Sequence, residues 1–186
     1  MNSKQNTFFL FLRAINVGGH NIIKMKDLSG WMQQLGFTGV KTFLNSGNVV
    51  FQTNNDDVSE ITKLIREKIK LESNLDIACL VRSLDELTRI NTILLKHEAE
   101  KPEAATVFVT LLSGQSSAEA IQKLKTIDTG PDSFFDYGSE IVLVCQQPYH
   151  KTKLSNSLFE KILKLNATSR NRNTVEALLK DLPAGK

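Results

Sequence analysis

The sequence is short of nearly everything that announces a chemistry. It has two cysteines, Cys79 and Cys145, and three histidines, His20, His97 and His150. None of the five falls in a CxxC or HxxxH spacing, so neither a structural zinc site nor a disulfide framework is indicated. Both cysteines sit in apolar, strand-like surroundings, "IACLV" and "IVLVCQQ", where a free thiol behaves as a small hydrophobe. No GxSxG elbow, P-loop, dinucleotide fingerprint or paired-carboxylate motif is present. Ser46, in "NSGN", has no identifiable base, and no cofactor is expected. Long apolar runs are missing too: Phe8–Leu12 ends at Arg13, too short for a signal-peptide core or a membrane span. A cytoplasmic protein with no membrane partner is expected.

Charge of one sign is also scarce. The net charge is +3, far from the strongly basic footprint of a general nucleic-acid binder. The excess lies late: residues 149–186 carry +5 and the first 148 carry −2. An anionic partner is therefore expected nearer the C-terminal end.

What is present is ordinary globular composition, 41% hydrophobic over 186 residues, enough chain for a substantial core. Hydrophobic period reads as strand Thr7–Ile15, a helix with Met25, Leu28, Trp31, Met32 and Leu35 on one face, and strands Val40–Leu44 and Asn48–Thr53 around the turn "NSGN". A helix capped by Asp57 and Glu60 follows, then strand Asp76–Arg82. This β-α-β-β-α-β order is the split-βαβ, ferredoxin-like plan.

Ser83 and Glu86 cap a further helix, and "KHEAEKPEA" reads as a linker. The theme then restarts with strand Thr106–Leu112, a helix capped by Ser116 and Glu119, a hairpin in "FFDYGSEIVLVC", and a helical stripe of Leu154, Leu158, Ile162 and Leu165. A short helix, Thr174–Leu182, stands where a fourth strand would be expected. The expected fold is α+β, two ferredoxin-like (α/β-plait) halves with antiparallel sheets and helices on one face, divided as 1–96 and 97–186. "FFLFL" does not alternate, so both faces of that strand should be covered, most simply by the second half.

Two polar groupings stand out. In a split-βαβ unit the first two strands are parallel, so the loops following them share an edge. That brings Arg13, Asn16, Gly18, Gly19, Asn21, Asn45, Ser46 and Asn48 to one rim, where glycine N–H groups can approach an anion. The same residue types equally serve turns through side-chain-to-backbone bonds, and Arg13 has Asp27 as a possible partner. The second grouping is Arg170, Asn171, Asn173 and Thr174. Asn173 and Glu176 read as a capping box, with guanidinium groups beside a helix N-terminus suited to phosphate or carboxylate. Tethering of the last helix is the structural alternative, and "YHKTK", 149–153, reads as a solvated charge run.

"RAINVGGHN", "MKDL", "LGFTGVKTFLNSGNVVF" and "KL…EKIL…TSRNRNTV" together resemble a bacterial family catalogued as a domain of unknown function. That resemblance implies two α/β-plait subdomains and no particular activity. Its motif positions fall on Arg13, Ile15, Asn16, Val17, Gly18, Gly19, Asn21, Ser46, Gly47 and Asn48, and on Thr168, Arg170, Asn171, Asn173 and Thr174. Ala14 stands where the family usually has glycine, and Arg172 where it commonly has tryptophan. The glycines often found before the lysine-leucine stretch are missing after "PYHKT".

Three functions compete at this stage. The favoured one is a non-catalytic binding module for a small anionic or nucleotide-like ligand. The alternatives are a metal-independent enzyme using Arg, Asn and Ser groups, which lacks a general base, and a nucleic-acid-binding plait stacking bases on Phe8, Phe9 and Phe11. The oligomeric state is not legible.

Overall fold

The computed structural model describes residues 5–183, which form two four-stranded antiparallel sheets and six α-helices. Two compact units result: the chain through Leu87 together with the segment from Leu178, and Thr88–Ala177.

In the first unit, β1 (Asn6–Leu12) lies between β3 (Asn48–Thr53) and β4 (Cys79–Ser83), with β2 (Thr38–Phe43) outside β3. Every pairing is antiparallel, so β1 and β2 run parallel and finish at the same edge. Side chains alternate across a strand, and Phe8, Leu10, Leu12, Val49, Phe51 and Val81 point into one core. Helices α1 (Met25–Gln34) and α2 (Val58–Ser73) close that core with Leu28, Met32, Ile61, Ile65 and Ile69. Phe9 and Phe11 on the opposite face are buried as well, so both faces of β1 are covered. Gly36 ends α1 in the left-handed conformation (φ 84°), donating its N–H to the Gln33 carbonyl, the glycine stop expected of a helix C-terminus.

The second unit repeats the plan, with sheet order β6 (Ser133–Asp136), β7 (Glu140–Cys145), β5 (Thr106–Leu112), β8 (Ala167–Asn171). Its core gathers Leu112, Ile141 and Leu143 under α4 (Ala118–Lys125) and α5 (Asn156–Leu163), which contribute Ile121, Leu124 and Phe159. Helices α3 (Leu84–Glu100) and α6 (Arg172–Lys180) each follow an edge strand, β4 and β8.

Four sequence expectations need correction. A fourth strand does exist in the second half: "ATSRN" pairs with β5 from Leu112↔Ala167 to Phe108↔Asn171. Its polar residues hid it, because the ladder rather than an apolar stripe defines it. Consequently α6 begins at Arg172, and its cap is Asn171, whose Oδ1 accepts from the Thr174 N–H at 2.8 Å. The stretch "KHEAE" is helix rather than linker: α3 continues to Glu100, through residues of good helix propensity, and Pro102 follows the stop. Helix α4 is capped by Ser117, which accepts from the Ala120 N–H, while Glu119 pairs with Lys123. By contrast, Ser83 and Glu86 form the full reciprocal capping box, with Ser83 N–H to Glu86 Oε2 at 2.8 Å and Glu86 N–H to Ser83 Oγ at 3.2 Å.

Candidate functional site

The β1–α1 loop, residues 13–24, and the β2–β3 turn, residues 44–47, meet at one rim of the first sheet. Their meeting point is the side chain of Asn16. Its Nδ2 donates to the Ile23 carbonyl at 2.9 Å and to the Asn45 carbonyl at 2.8 Å, and its Oδ1 accepts from the Ile23 N–H at 2.9 Å. One amide thus uses both donor hydrogens and its acceptor to knot loop and turn together. Residues 16 and 45 are 29 positions apart in the chain, so the convergence expected from parallel first and second strands is realised.

The remaining rim amides are used in the same way. Asn21 Nδ2 donates to the Ala14 carbonyl at 3.0 Å, and the Asn16 N–H donates to the Asn21 carbonyl. Asn48, fully buried, donates to the Phe43 carbonyl and to Ser46 Oγ, both at 2.9 Å. These asparagines give the rim its shape.

That shape is unusual. Ala14, Asn16, Gly18, Gly19 and Asn21 all have left-handed φ, between 50° and 79°, as do Leu44 (59°) and Gly47 (73°) in the facing turn. Each non-glycine residue in this region is strained by roughly 1–2 kcal/mol, less for asparagine. Such strain persists only where surrounding bonds over-determine the backbone, as the Asn16 knot does here. Gly47 is held tightest: a Cβ there would lie 2.7 Å from Leu12 Cβ and from Ile15 Cδ1.

Gly18 and Gly19 sit at the exposed tip. An added Cβ on Gly19 would meet nothing within 4 Å, so open space lies beside that backbone. The bond from His20 N–H to the Val17 carbonyl closes the tip at 3.0 Å, while among the described residues no hydrogen bond uses the Gly18 or Gly19 N–H. The loop then delivers the chain into α1. Lys24 occupies the N-cap position of that helix with no side-chain cap, leaving first-turn N–H groups for other acceptors. The caps Asp57, Ser117, Ser155, Ser83 and Asn171 serve the other five helices. Three cations, Arg13, Lys24 and Lys26, fall within 13–26, and the first carboxylate is Asp27. The sequence reading omitted Lys24; the signal was the missing Ser, Thr, Asp or Asn before "MKDL".

The second predicted grouping lies in the second unit and has another character. Arg170 is buried, and its Nη1 donates to Thr168 Oγ1 and to the Ser169 carbonyl, both at 2.8 Å. Burial pushes its pKa down to about 10, partly opposed by Tyr149. The Asn171 oxygen is engaged by the Thr174 N–H and hydroxyl. Asn173, expected as the cap, instead accepts from Arg172 Nη2 at 3.1 Å. A cavity of about 130 Å³ is lined by Glu98, Thr106, Val107 and Asn171–Asn173. Arg172 lies beside Glu98 at 3.6 Å and pairs with Glu176 at 2.7 Å, so two carboxylates offset the one guanidinium at that cavity.

Both thiols are free and buried, and burial lifts the Cys79 pKa to about 12 and the Cys145 pKa to about 11. Among the described residues no group of histidine, cysteine and carboxylate side chains is arranged to hold a metal ion, and no helix is long and apolar enough to cross a membrane.

A family model described as Protein of unknown function (DUF1697) matches residues 6–141. No curated protein matches the chain. Among solved structures, the conserved bacterial protein SP0830 from Streptococcus pneumoniae superposes with a TM-score of 0.71 at 18% identity, covering 95% of this chain and 98% of that one. At that identity the likeness speaks to the fold alone.

Proposed function

The chain belongs to the family of unknown function whose model it matches, and we propose that its β1–α1 loop is a binding site for a small anionic ligand. The observation that carries this reading is the tip at Gly18–Gly19. There, among the described residues, no hydrogen bond uses the Gly18 or Gly19 N–H, the space beside Gly19 is open, and the loop is braced by Asn16 and ends at a helix without a side-chain cap. Successive backbone N–H groups in a tight turn, here closed by the His20 N–H to the Val17 carbonyl, can form a concavity that accepts an anion. A helix N-terminus adds a partial positive charge, and Lys24 with Arg13 adds formal charge. Phosphate or carboxylate, free or as part of a nucleotide-like molecule, suits such a site. The role is binding rather than catalysis, because the Asn16, Asn21 and Asn48 amides that could stabilise developing charge are bonded to the protein itself. Base stacking on Phe8, Phe9 and Phe11 has no support, since all three are buried.

We further read each half as a ferredoxin-like plait and the protein as a bacterial, cytoplasmic one. The strand orders support the first. The bacterial structural relative and two buried free thiols support the second.

A thermal-denaturation screen of phosphate, sulfate, carboxylates, nucleotides and short oligonucleotides tests the proposal. A ligand at about 100 times its dissociation constant stabilises folding by about 2.7 kcal/mol, which raises Tm by several degrees for a chain of this size. Lys24→Ala should weaken any hit severalfold. No Tm rise with any anion, or a hit indifferent to Lys24→Ala, would remove the proposal.

A further inference from the structure

Three large aliphatic side chains are displayed around the same knot. Val17 is 64% exposed, Ile22 58% and Leu44 58%. Each is the immediate chain neighbour of a residue tied by the Asn16 amide: Val17 follows Asn16 itself, Ile22 precedes Ile23, and Leu44 precedes Asn45. The knot therefore gathers three apolar groups from two remote segments onto one rim. Leu44 is held there in the left-handed conformation (φ 59°), which leucine rarely adopts, whereas Ile15 and Ile23, beside the other two, are buried. Aliphatic side chains scattered singly over a surface need no explanation. Three gathered at a strained, braced rim do.

Charge fixes the sign of the occupant. Residues 13–26 hold Arg13, Lys24 and Lys26 and no carboxylate, and Lys41, near the facing turn, is paired with Asp181 at 2.7 Å. The rim thus presents apolar side chains on a segment that carries Lys24 and Lys26 and no carboxylate, beside backbone N–H groups that no hydrogen bond uses among the described residues.

We infer that the ligand is an amphipathic organic anion, its phosphate or carboxylate at the Gly18–Gly19 tip and its apolar arm against Val17, Ile22 and Leu44. This rests on the reading of the loop as an anion site and adds the chemical class. An inorganic ion would leave the aliphatic groups in water, and a neutral apolar ligand would leave the N–H groups unmatched. An organic anion satisfies both.

The test compares methyl phosphate with hexyl phosphate, which carry the same head group, by calorimetry on the full chain. Hexyl phosphate should bind at least tenfold more tightly. The exposed-site variants Ile22→Ser and Leu44→Asn should bring it down to the methyl phosphate level and leave methyl phosphate affinity unchanged. Asparagine is chosen because it tolerates the left-handed backbone at position 44. Equal affinity for the two phosphates would overturn this inference while leaving the anion site intact. No binding of either phosphate, or of inorganic phosphate, would overturn the anion site as well. Concentration-dependent dimerisation abolished by Ile22→Ser would also overturn the inference, because the apolar rim would then belong to a second copy of this chain.

Discussion

The two units share one ladder and differ at one loop. Phe11 faces Asn48 as Leu111 faces Glu140, and Leu12 faces Cys79 as Leu112 faces Ala167. Even the corner bonds recur: Leu12 N–H to the Gly47 carbonyl matches Leu112 N–H to Ser139, and Arg13 N–H to Ala78 matches Ser113 N–H to Asn166. Yet from strand to helix the first unit takes twelve residues, 13–24, and the second takes five, 113–117. The second unit's loop is sufficient to connect the elements, so the extra length in the first is not required by the fold. It carries the left-handed residues, the asparagine knot and the exposed glycines. The buried anchor at the start of the third strand differs as well. Asn48 serves the turn in the first unit, while Glu140 accepts from Arg89 at 2.6 Å and from Ser139 Oγ at 2.7 Å in the second.

The comparison breaks most visibly at the turn glycines. Gly47 and Gly138 both have left-handed φ, 73° and 85°, but a side chain at 47 would strike Leu12 Cβ, whereas one at 138 would strike only the end of the Gln115 side chain. Gly47→Val should therefore cost about 4 kcal/mol, combining backbone strain with overpacking. Gly138→Ala should cost about 1 kcal/mol. Urea denaturation of both variants checks this, and equal losses would refute the claim that the first unit's rim is the tighter one.

The loops come next. Asn16→Ala removes three hydrogen bonds and should cost about 2–3 kcal/mol, a Tm loss of roughly 5–10 °C at this chain length. Ser113→Ala, which removes the exposed bond from the Asn166 N–H to Ser113 Oγ, should cost under about 1 kcal/mol. If the two losses match, the long loop is no more braced than the short one.

The smallest effect is a gain. Ala14 has φ 51°, a conformation glycine takes without strain. Ala14→Gly should stabilise by about 0.5 kcal/mol, the relieved strain slightly exceeding the entropy lost from the unfolded chain. A Tm unchanged or lowered would mean that alanine is accommodated there at no cost.

How legible this was in the sequence follows the physics of each element. Apolar periodicity located α1 and α2, because each buries a regular stripe, and continuous apolar runs located β1, β3 and β5, which are buried along nearly their whole length. It failed at β8, where Thr168, Ser169 and Arg170 carry no stripe and only pairing with β5 defines the strand. Parallel first and second strands were enough to foresee that Asn16 and Asn45 would meet. Which atoms they would use was not, because asparagine is equally a ligand group and a corner stitch until its partners are seen. The exposure of Val17, Ile22 and Leu44 was equally hidden: an irregular loop has no period from which an outward face can be read.

Amide chemical shifts during a phosphate titration test the central claim most directly. The account predicts saturable shifts at Gly18, Gly19 and the first turn of α1, Met25–Asp27, with residues 113–117 and the start of α4 unmoved. Shifts of equal size in both loops, or none at Gly18 and Gly19 up to millimolar phosphate, would contradict it.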